Sequence, residues 1–132
     1  MPAPGPTGYA FNRTRHTYLA TQVCVADTHW SRLWGLMGRN SANFGPGQGL
    51  WIVPSRGVHT FAMRFPIDVL YLDDGKIVVH LEEELKPWRV APVRMRAASV
   101  LELPVKTLNS TGTAIGDVIE IALGQAQEAT TA

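Results

Sequence analysis

The sequence IDVLYLDDGKIVVHL, residues Ile67–Leu81, contains the strongest local fold signal in the chain. Two apolar runs rich in β-branched residues, Ile67–Asp73 and Lys76–Leu81, flank the pair Asp74-Gly75. β-Branched residues favour strands, and Asp-Gly between two such runs favours a tight turn. The stretch therefore predicts an antiparallel hairpin with a type I′ turn, in which φ is positive at both central residues.

Outside the hairpin, short apolar or alternating runs bounded by turn residues predict further strands. These strands are Thr17–Val25, Leu50–Val53, Val58–Phe65, Ala98–Leu103 and Asp117–Leu123. The segment Glu82–Met95 is predicted to be irregular, and Val105–Thr111 to form one helical turn.

One amphipathic helix is predicted near Thr28–Met37. Its apolar stripe follows the spacing i, i+3, i+4, i+7 and consists of Trp30, Leu33, Trp34 and Met37. About seven short strands and one helix predict a mainly β fold, either a compact β-sandwich or a barrel-like antiparallel sheet.

The length of 132 residues suits a single domain. Three prolines in the first six residues and little hydrophobicity predict a flexible N-terminal arm over residues 1–16. A single β domain is expected over residues 17–123, followed by a frayed tail over residues 124–132. The arm has no apolar stretch typical of a signal peptide, so a cytoplasmic location is expected.

Composition argues against several classes of function. The formal net charge of +1 is too small to indicate nucleic-acid binding. One cysteine, Cys24, excludes an internal disulfide. The chain has no phosphate-binding loop, nucleophile motif or metal-ligand spacing, and no run that would span a membrane. We therefore expect no cofactor, no metal, no nucleic acid and no membrane partner.

A polar cluster is predicted in the sequence HTFAMRFPID, residues His59–Asp68. Strand alternation places His59 on an apolar face and Asp68 on a face otherwise made of leucines. A buried carboxylate needs a partner or a shifted pKa, and Arg64 and His59 are the nearest candidates. The cluster is either a structural ion pair that fixes the bend at Pro66 or a polar pocket at a strand break.

Six sequence motifs together resemble domain of unknown function family 192. They are GLMGR (35–39), GLWIVP (49–54), VHTFAMRFPIDVLYLDDGKIV (58–78), KPWR (86–89), VLELP (100–104) and IGD (115–117). The resemblance covers residues 17–123 and implies a compact sandwich-like or barrel-like β domain, without an established reaction. The motif positions that it marks are Arg39, His59, Thr60, Met63, Arg64, Asp68 and Glu102. It also implies that many relatives are exported and carry a signal peptide ahead of the first strand. Residues 1–16 of this chain do not have the pattern of a signal peptide.

Three functions compete on these observations. The first is a binding module for a small anionic ligand, with ligand-binding residues Arg39, His59, Thr60, Arg64, Asp68, Trp88 and Arg89. The second is a protein-interaction or accessory domain that uses the Lys86–Arg96 loop. The third is an enzyme in which His59 and Asp68 form an acid–base pair.

Overall fold

The computed structural model describes residues 8–26, 44–57, 65–87, 89 and 92–123, and it shows a mainly β protein. Within these ranges one short helix, α1, spans Thr107–Thr111. The strands are β1 Gly8–Asn12, β2 Thr17–Ala26, β3 Gln48–Ile52, β4 Ile67–Leu72, β5 Val78–Leu85, β6 Ser99–Pro104 and β7 Ile119–Ala122. The predicted fold class and the helical turn within Val105–Thr111 are confirmed.

The strands form one curled sheet in the order β5-β4-β6-β3-β2-β1-β7. Neighbouring strands are antiparallel except for β2 and β3, which run parallel. The two ends of the sheet meet at a bridge between Ile77 and Val118. There Val78 N–H donates to Asp117 O, and Ile119 N–H donates to Lys76 O, both over 2.9 Å. The sheet is therefore barrel-like rather than a two-layer sandwich.

Two apolar clusters lie on opposite faces of the sheet. The larger cluster draws buried residues from β1, β2, β4, β5, β6, β7 and α1, so it fills the inside of the curl. The smaller cluster lies on the other face and includes Leu50, Val69 and Tyr71. Every residue of β4 is buried, because this strand contributes alternate side chains to both clusters.

The β4–β5 hairpin forms as predicted, but its turn is of another type. Lys76 N–H donates to Asp73 O over 2.9 Å, and positive φ occurs at Lys76 (62°) rather than at Asp74 and Gly75. This is the pattern of a type I turn followed by a left-handed residue. Asp73 Oδ1 accepts the N–H groups of Gly75 and Ile77, each over 2.9 Å, and so stabilises the turn that includes the left-handed lysine.

Two segments expected to be irregular contain strand. Within the arm predicted over residues 1–16, Gly8–Asn12 forms β1, which pairs with both β2 and β7. Its burial alternates along the strand, and only five residues carry the pattern, which makes the signal weak in the sequence. Within Glu82–Met95, residues Glu82–Leu85 continue β5. Charged side chains suit this strand because it is first in the sheet order.

Other predictions lie outside the described residues. They are the helix near Thr28–Met37, most of the strand Val58–Phe65 and the tail over residues 124–132. Within the described part of the chain, no helix has the length and apolar character needed to cross a bilayer.

Gly8 is required by the close approach of β7. A Cβ atom at this position would lie 2.1 Å from the carbonyl oxygen of Ala122, which is backbone. We expect Gly8→Ala to destabilise the fold by about 1–3 kcal/mol, since β7 must move away from β1. Urea unfolding measures this change. Gly45→Ala is the control, because nothing lies within 4 Å of a Cβ there; equal stability of the two variants would contradict the β1–β7 geometry.

Candidate functional site

An open cleft of about 580 Å³ lies where the ends of β3 and β4 meet the loop before β6. Its lining residues are Pro54, Ser55, Arg56, Asp74, Met95, Arg96, Ala97 and Ala98. Backbone hydrogen bonds join the two loops that form its walls. Ser55 N–H donates to Ala98 O over 3.0 Å, and Arg94 N–H donates to Arg56 O over 2.9 Å. Backbone contacts therefore fix the two walls of the cleft relative to each other.

The cleft carries two positive side chains and one negative side chain, all exposed. These are Arg56, Arg96 and Asp74. The salt bridges that join residues in the described ranges are Arg13–Glu120, Arg15–Asp117 and His80–Glu82, and none involves the cleft. The two guanidinium groups thus face solvent without a carboxylate from the described part of the chain.

A second polar group, formed by Tyr71, His80, Glu82 and Arg94, lies beside the loop that precedes the cleft wall. The Tyr71 hydroxyl donates to Pro92 O over 2.7 Å. His80 Nε2 lies 2.5 Å from Glu82 Oε2 and 3.3 Å from Arg94 Nη2. Nε2 donates to Glu82 when it carries a proton and accepts from Arg94 when it does not, so it makes one of these two hydrogen bonds at a time.

Burial raises the pKa of Tyr71 to about 12, and the neighbouring Glu82 carboxylate adds to this effect while Arg94 opposes it. The hydroxyl therefore remains protonated over the physiological pH range and keeps donating to Pro92 O. The loop containing Pro92 and Arg94 is thus attached to the sheet at two points, through this hydroxyl and through Arg56 O.

Asp68 is fully buried, and both of its carboxylate oxygens accept backbone N–H groups. Oδ1 accepts from Glu84 over 2.9 Å, and Oδ2 accepts from Leu108 over 3.0 Å. Burial raises the pKa of Asp68, and the backbone donors at Glu84 and Leu108 oppose part of this rise. Glu84 and Lys106, next to these contacts, both have positive φ, 52° and 74°. The carboxylate therefore ties a bend in β5 to the start of α1.

Glu102 is a buried carboxyl of a different kind. It lies between Leu50 on β3 and Val69 on β4, on the face of the smaller apolar cluster, with 4% of its surface exposed. Within the described ranges no side chain or backbone group forms a hydrogen bond to the Glu102 carboxyl group. Burial raises the pKa of Glu102 to about 8. The resemblance to family 192 marked Glu102 as a motif position. Strand alternation alone does not decide whether this glutamate lies on an exposed or a buried face.

Asp117, in the motif IGD, serves the closure of the sheet. Its Oδ2 accepts hydrogen bonds from Asn12 Nδ2 (2.9 Å), Arg15 Nε (3.0 Å) and Ala114 N–H (3.0 Å). Burial alone would raise the pKa of Asp117, but the bonds from Arg15, Asn12 and Ala114 lower it overall. The motif thus connects the β1–β2 turn to the loop before β7.

Few of the predicted ligand-binding residues fall within the described ranges. Asp68 is buried as described above, and Arg89 is exposed and has contacts of its own. Arg39, His59, Thr60, Arg64 and Trp88 lie outside these ranges, so their roles remain predictions, as does the acid–base pairing of His59 with Asp68. The sequence reasoning missed Arg56 and Asp74 as site residues, and it included Arg96 only in the alternative interaction loop Lys86–Arg96. Two sequence features could have indicated this site. One is the excess of arginine over lysine in the chain, with Arg56 close to Pro54, and the other is the Asp74-Gly75 turn.

Comparisons with known proteins agree with this fold. Residues 10–121 match the family DUF192, which is described as an uncharacterised ACR. A UPF0127 protein of Thermococcus sibiricus is 32% identical over 114 residues, covering 83% of this chain and 71% of the relative. A UPF0127 protein of Pyrococcus abyssi is 32% identical over 119 residues, covering 86% of this chain and 97% of the relative.

Two solved structures share the architecture. One is a protein of unknown function from Novosphingobium aromaticivorans, with a TM-score of 0.72 and 18% identity, covering 86% of this chain and 83% of that chain. The other is a putative transcription regulator from Sinorhizobium meliloti, with a TM-score of 0.74 and 22% identity, covering 93% of this chain and 98% of that chain. At these identities the likeness concerns the fold alone.

Proposed function

The chain belongs to the DUF192 family, and within that family we propose that it acts as a binding module for a small anionic ligand held in the cleft between Pro54–Arg56 and Met95–Ala98. The observation that carries the proposal is the pair of exposed arginines, Arg56 and Arg96, which line one cleft without a carboxylate partner from the described residues.

The chemistry of these side chains favours carboxylate or phosphate. Guanidinium is a planar donor that remains charged at any physiological pH and binds such groups through two parallel hydrogen bonds. In most proteins an exposed arginine is simply solvated, so one alone would indicate little. Two arginines that enter one cleft from separate loops present converging donors, which is the usual form of a small-ligand site.

Asp74 adds a selectivity element to the same cleft. Its carboxylate accepts hydrogen bonds and repels negative charge. The proposed ligand therefore carries an anionic group for the arginines and a hydroxyl or amino donor for Asp74. Hydroxy acids, amino acids and sugar phosphates have this combination.

The residues predicted from the sequence extend this proposal. Arg39, His59, Thr60, Arg64, Trp88 and Arg89 are proposed as further ligand contacts on the strength of the sequence pattern. Asp68 was predicted with them, and its two backbone partners favour a structural role for its carboxylate.

We expect malate and inorganic phosphate to raise the melting temperature of the wild-type protein. Arg56→Gln and Arg96→Gln should each weaken binding by a factor of about ten to a hundred, because each removes a charge-assisted contact worth about 1.5–3 kcal/mol. Isothermal titration calorimetry measures the affinities. The effect should shrink at high salt, since the cleft is open to solvent.

Arg13→Gln is the matched control, because Arg13 is exposed and its guanidinium lies 3.9 Å from Glu120, away from the cleft. It should leave the affinities unchanged. Equal loss of binding in Arg13→Gln and Arg96→Gln would indicate general charge attraction. Unchanged binding in both cleft variants would place any anion elsewhere and contradict the proposal.

A further inference from the structure

We infer that the anionic group which enters this cleft is carried by an acidic segment of a partner protein, whose apolar side chains pack on Val93 and Met95. This inference rests on the proposed anion-binding function of the cleft. It adds the kind of partner and the surface beside the cleft that receives it, called here the 92–96 loop, residues Pro92–Arg96.

The 92–96 loop exposes apolar side chains between basic ones. Val93 is 64% exposed and Met95 is 73% exposed, and they alternate with the exposed Arg94 and Arg96. Single exposed apolar residues are common on protein surfaces. Two of them flanking one arginine, with Met95 also lining the cleft, form a mixed basic and apolar surface. Methionine and arginine are enriched in protein interfaces.

The loop is held in place although its side chains point outward. Tyr71 anchors Pro92 O, Arg56 O accepts the N–H of Arg94, and Ala97 N–H donates to Arg94 O over 3.0 Å. A backbone fixed at these points loses little conformational entropy when a partner binds, which favours affinity. The exposed side chains of Val93 and Met95 therefore lie on a loop whose backbone is preorganised for binding.

Charge complementarity selects an acidic partner. The loop and the facing cleft wall supply Arg56, Arg94 and Arg96, while Asp74 is the single acidic residue among the described residues that line the cleft. A segment that alternates acidic and apolar residues matches both features, because its carboxylates meet the guanidinium groups while its apolar side chains cover Val93 and Met95. A free small anion satisfies the arginines but leaves the apolar side chains exposed.

The test uses two short capped peptides and inorganic phosphate. In one peptide glutamate alternates with leucine, and in the other glutamate alternates with serine. Binding to the full chain is measured by fluorescence anisotropy for the peptides and by calorimetry for phosphate. The variants are the double substitution Val93→Ser with Met95→Ser, the double substitution Arg56→Gln with Arg96→Gln, and Ile115→Ser. Ile115 is the matched control, because it is 64% exposed, as Val93 is, and does not line the cleft.

We expect the leucine peptide to bind wild type about tenfold more tightly than the serine peptide. The double serine variant should lose this difference while its melting temperature stays as in wild type. Ile115→Ser should behave as wild type. The double glutamine variant should weaken both peptides and phosphate together.

Equal binding of the two peptides, or no binding of either, would overturn the inference. If phosphate binding then still depends on Arg56 and Arg96, the anion-binding function stands without it. If phosphate binding is also insensitive to the double glutamine variant, both fail. Self-association of the wild type that disappears in the double serine variant, seen by analytical ultracentrifugation, would assign the surface to a second copy of the chain and would also overturn the inference.

Discussion

Glu102→Gln is expected to stabilise the protein by about 3 kcal/mol at neutral pH, an unusual direction for a change in a buried strand. The glutamate is buried on the central strand β6, and its pKa is raised from 4.5 to about 8. Glutamine has nearly the same shape as the protonated acid. At neutral pH the glutamate is ionised in the unfolded state and must take up a proton on folding. Glutamine avoids the free-energy cost of this protonation.

The sign of the pH dependence follows from the raised pKa. Below the unfolded value the carboxyl is protonated in both states and its contribution to stability is fully present. Between pH 4.5 and about pH 8 the native state holds one more proton than the unfolded state, so the contribution falls as pH rises. The slope is about 1.4 kcal/mol per pH unit and is absent in Glu102→Gln.

Urea unfolding of wild type and variant across this pH range measures the effect. Glu83→Gln is the control, because it removes an exposed glutamate on β5 and leaves the buried carboxyl of Glu102 in place. Profiles of wild type and Glu102→Gln that run parallel would mean that Glu102 is ionised in the folded protein, with a cation beside it. A buried carboxyl that weakens the fold is also typical of functional positions, which makes Glu102 a second target for ligand screens.

Asp68→Ala is expected to destabilise the protein by about 2–4 kcal/mol. It leaves the backbone N–H groups of Glu84 and Leu108 without an acceptor, and an unsatisfied buried donor costs about 1–3 kcal/mol. The total stays below twice the upper value, because burial raises the pKa of Asp68 and part of what its bonds contribute is offset by desolvation.

Asp73→Ala is the comparison that separates the effect of burial on stability from the effect of the number of hydrogen bonds lost. Asp73 also accepts two backbone N–H groups, at Gly75 and Ile77, but in an exposed turn where water replaces the carboxylate. It should cost about 1 kcal/mol or less. Thermal and urea unfolding of the two variants side by side give the difference. Loss of less than 1 kcal/mol in Asp68→Ala would show that the start of α1 and the bend in β5 do not depend on this carboxylate.

The local features of the fold were accessible from the sequence. The strand Ile67–Leu72 and its hairpin follow from neighbouring residues, because a short turn brings partners together with little loss of chain entropy. The apolar alternation of Ser99–Pro104 has the same origin. The turn type was the exception, since Asp73 and Lys76 set it through contacts that Asp74-Gly75 alone does not reveal.

The sequence by itself determined most of the described strands, the hairpin and the β-rich class of this protein, because period-two burial and turn chemistry act over a few residues. Only the tertiary structure decided three other features: the parallel pairing of β2 with β3, the inclusion of β1 and the closure of the sheet at Ile77 and Val118. The cleft belongs with these. Arg56, Asp74 and Arg96 are distant in sequence, and they meet because β3 and β4 end, and β6 begins, at the same end of the curled sheet, a position that no local pattern encodes.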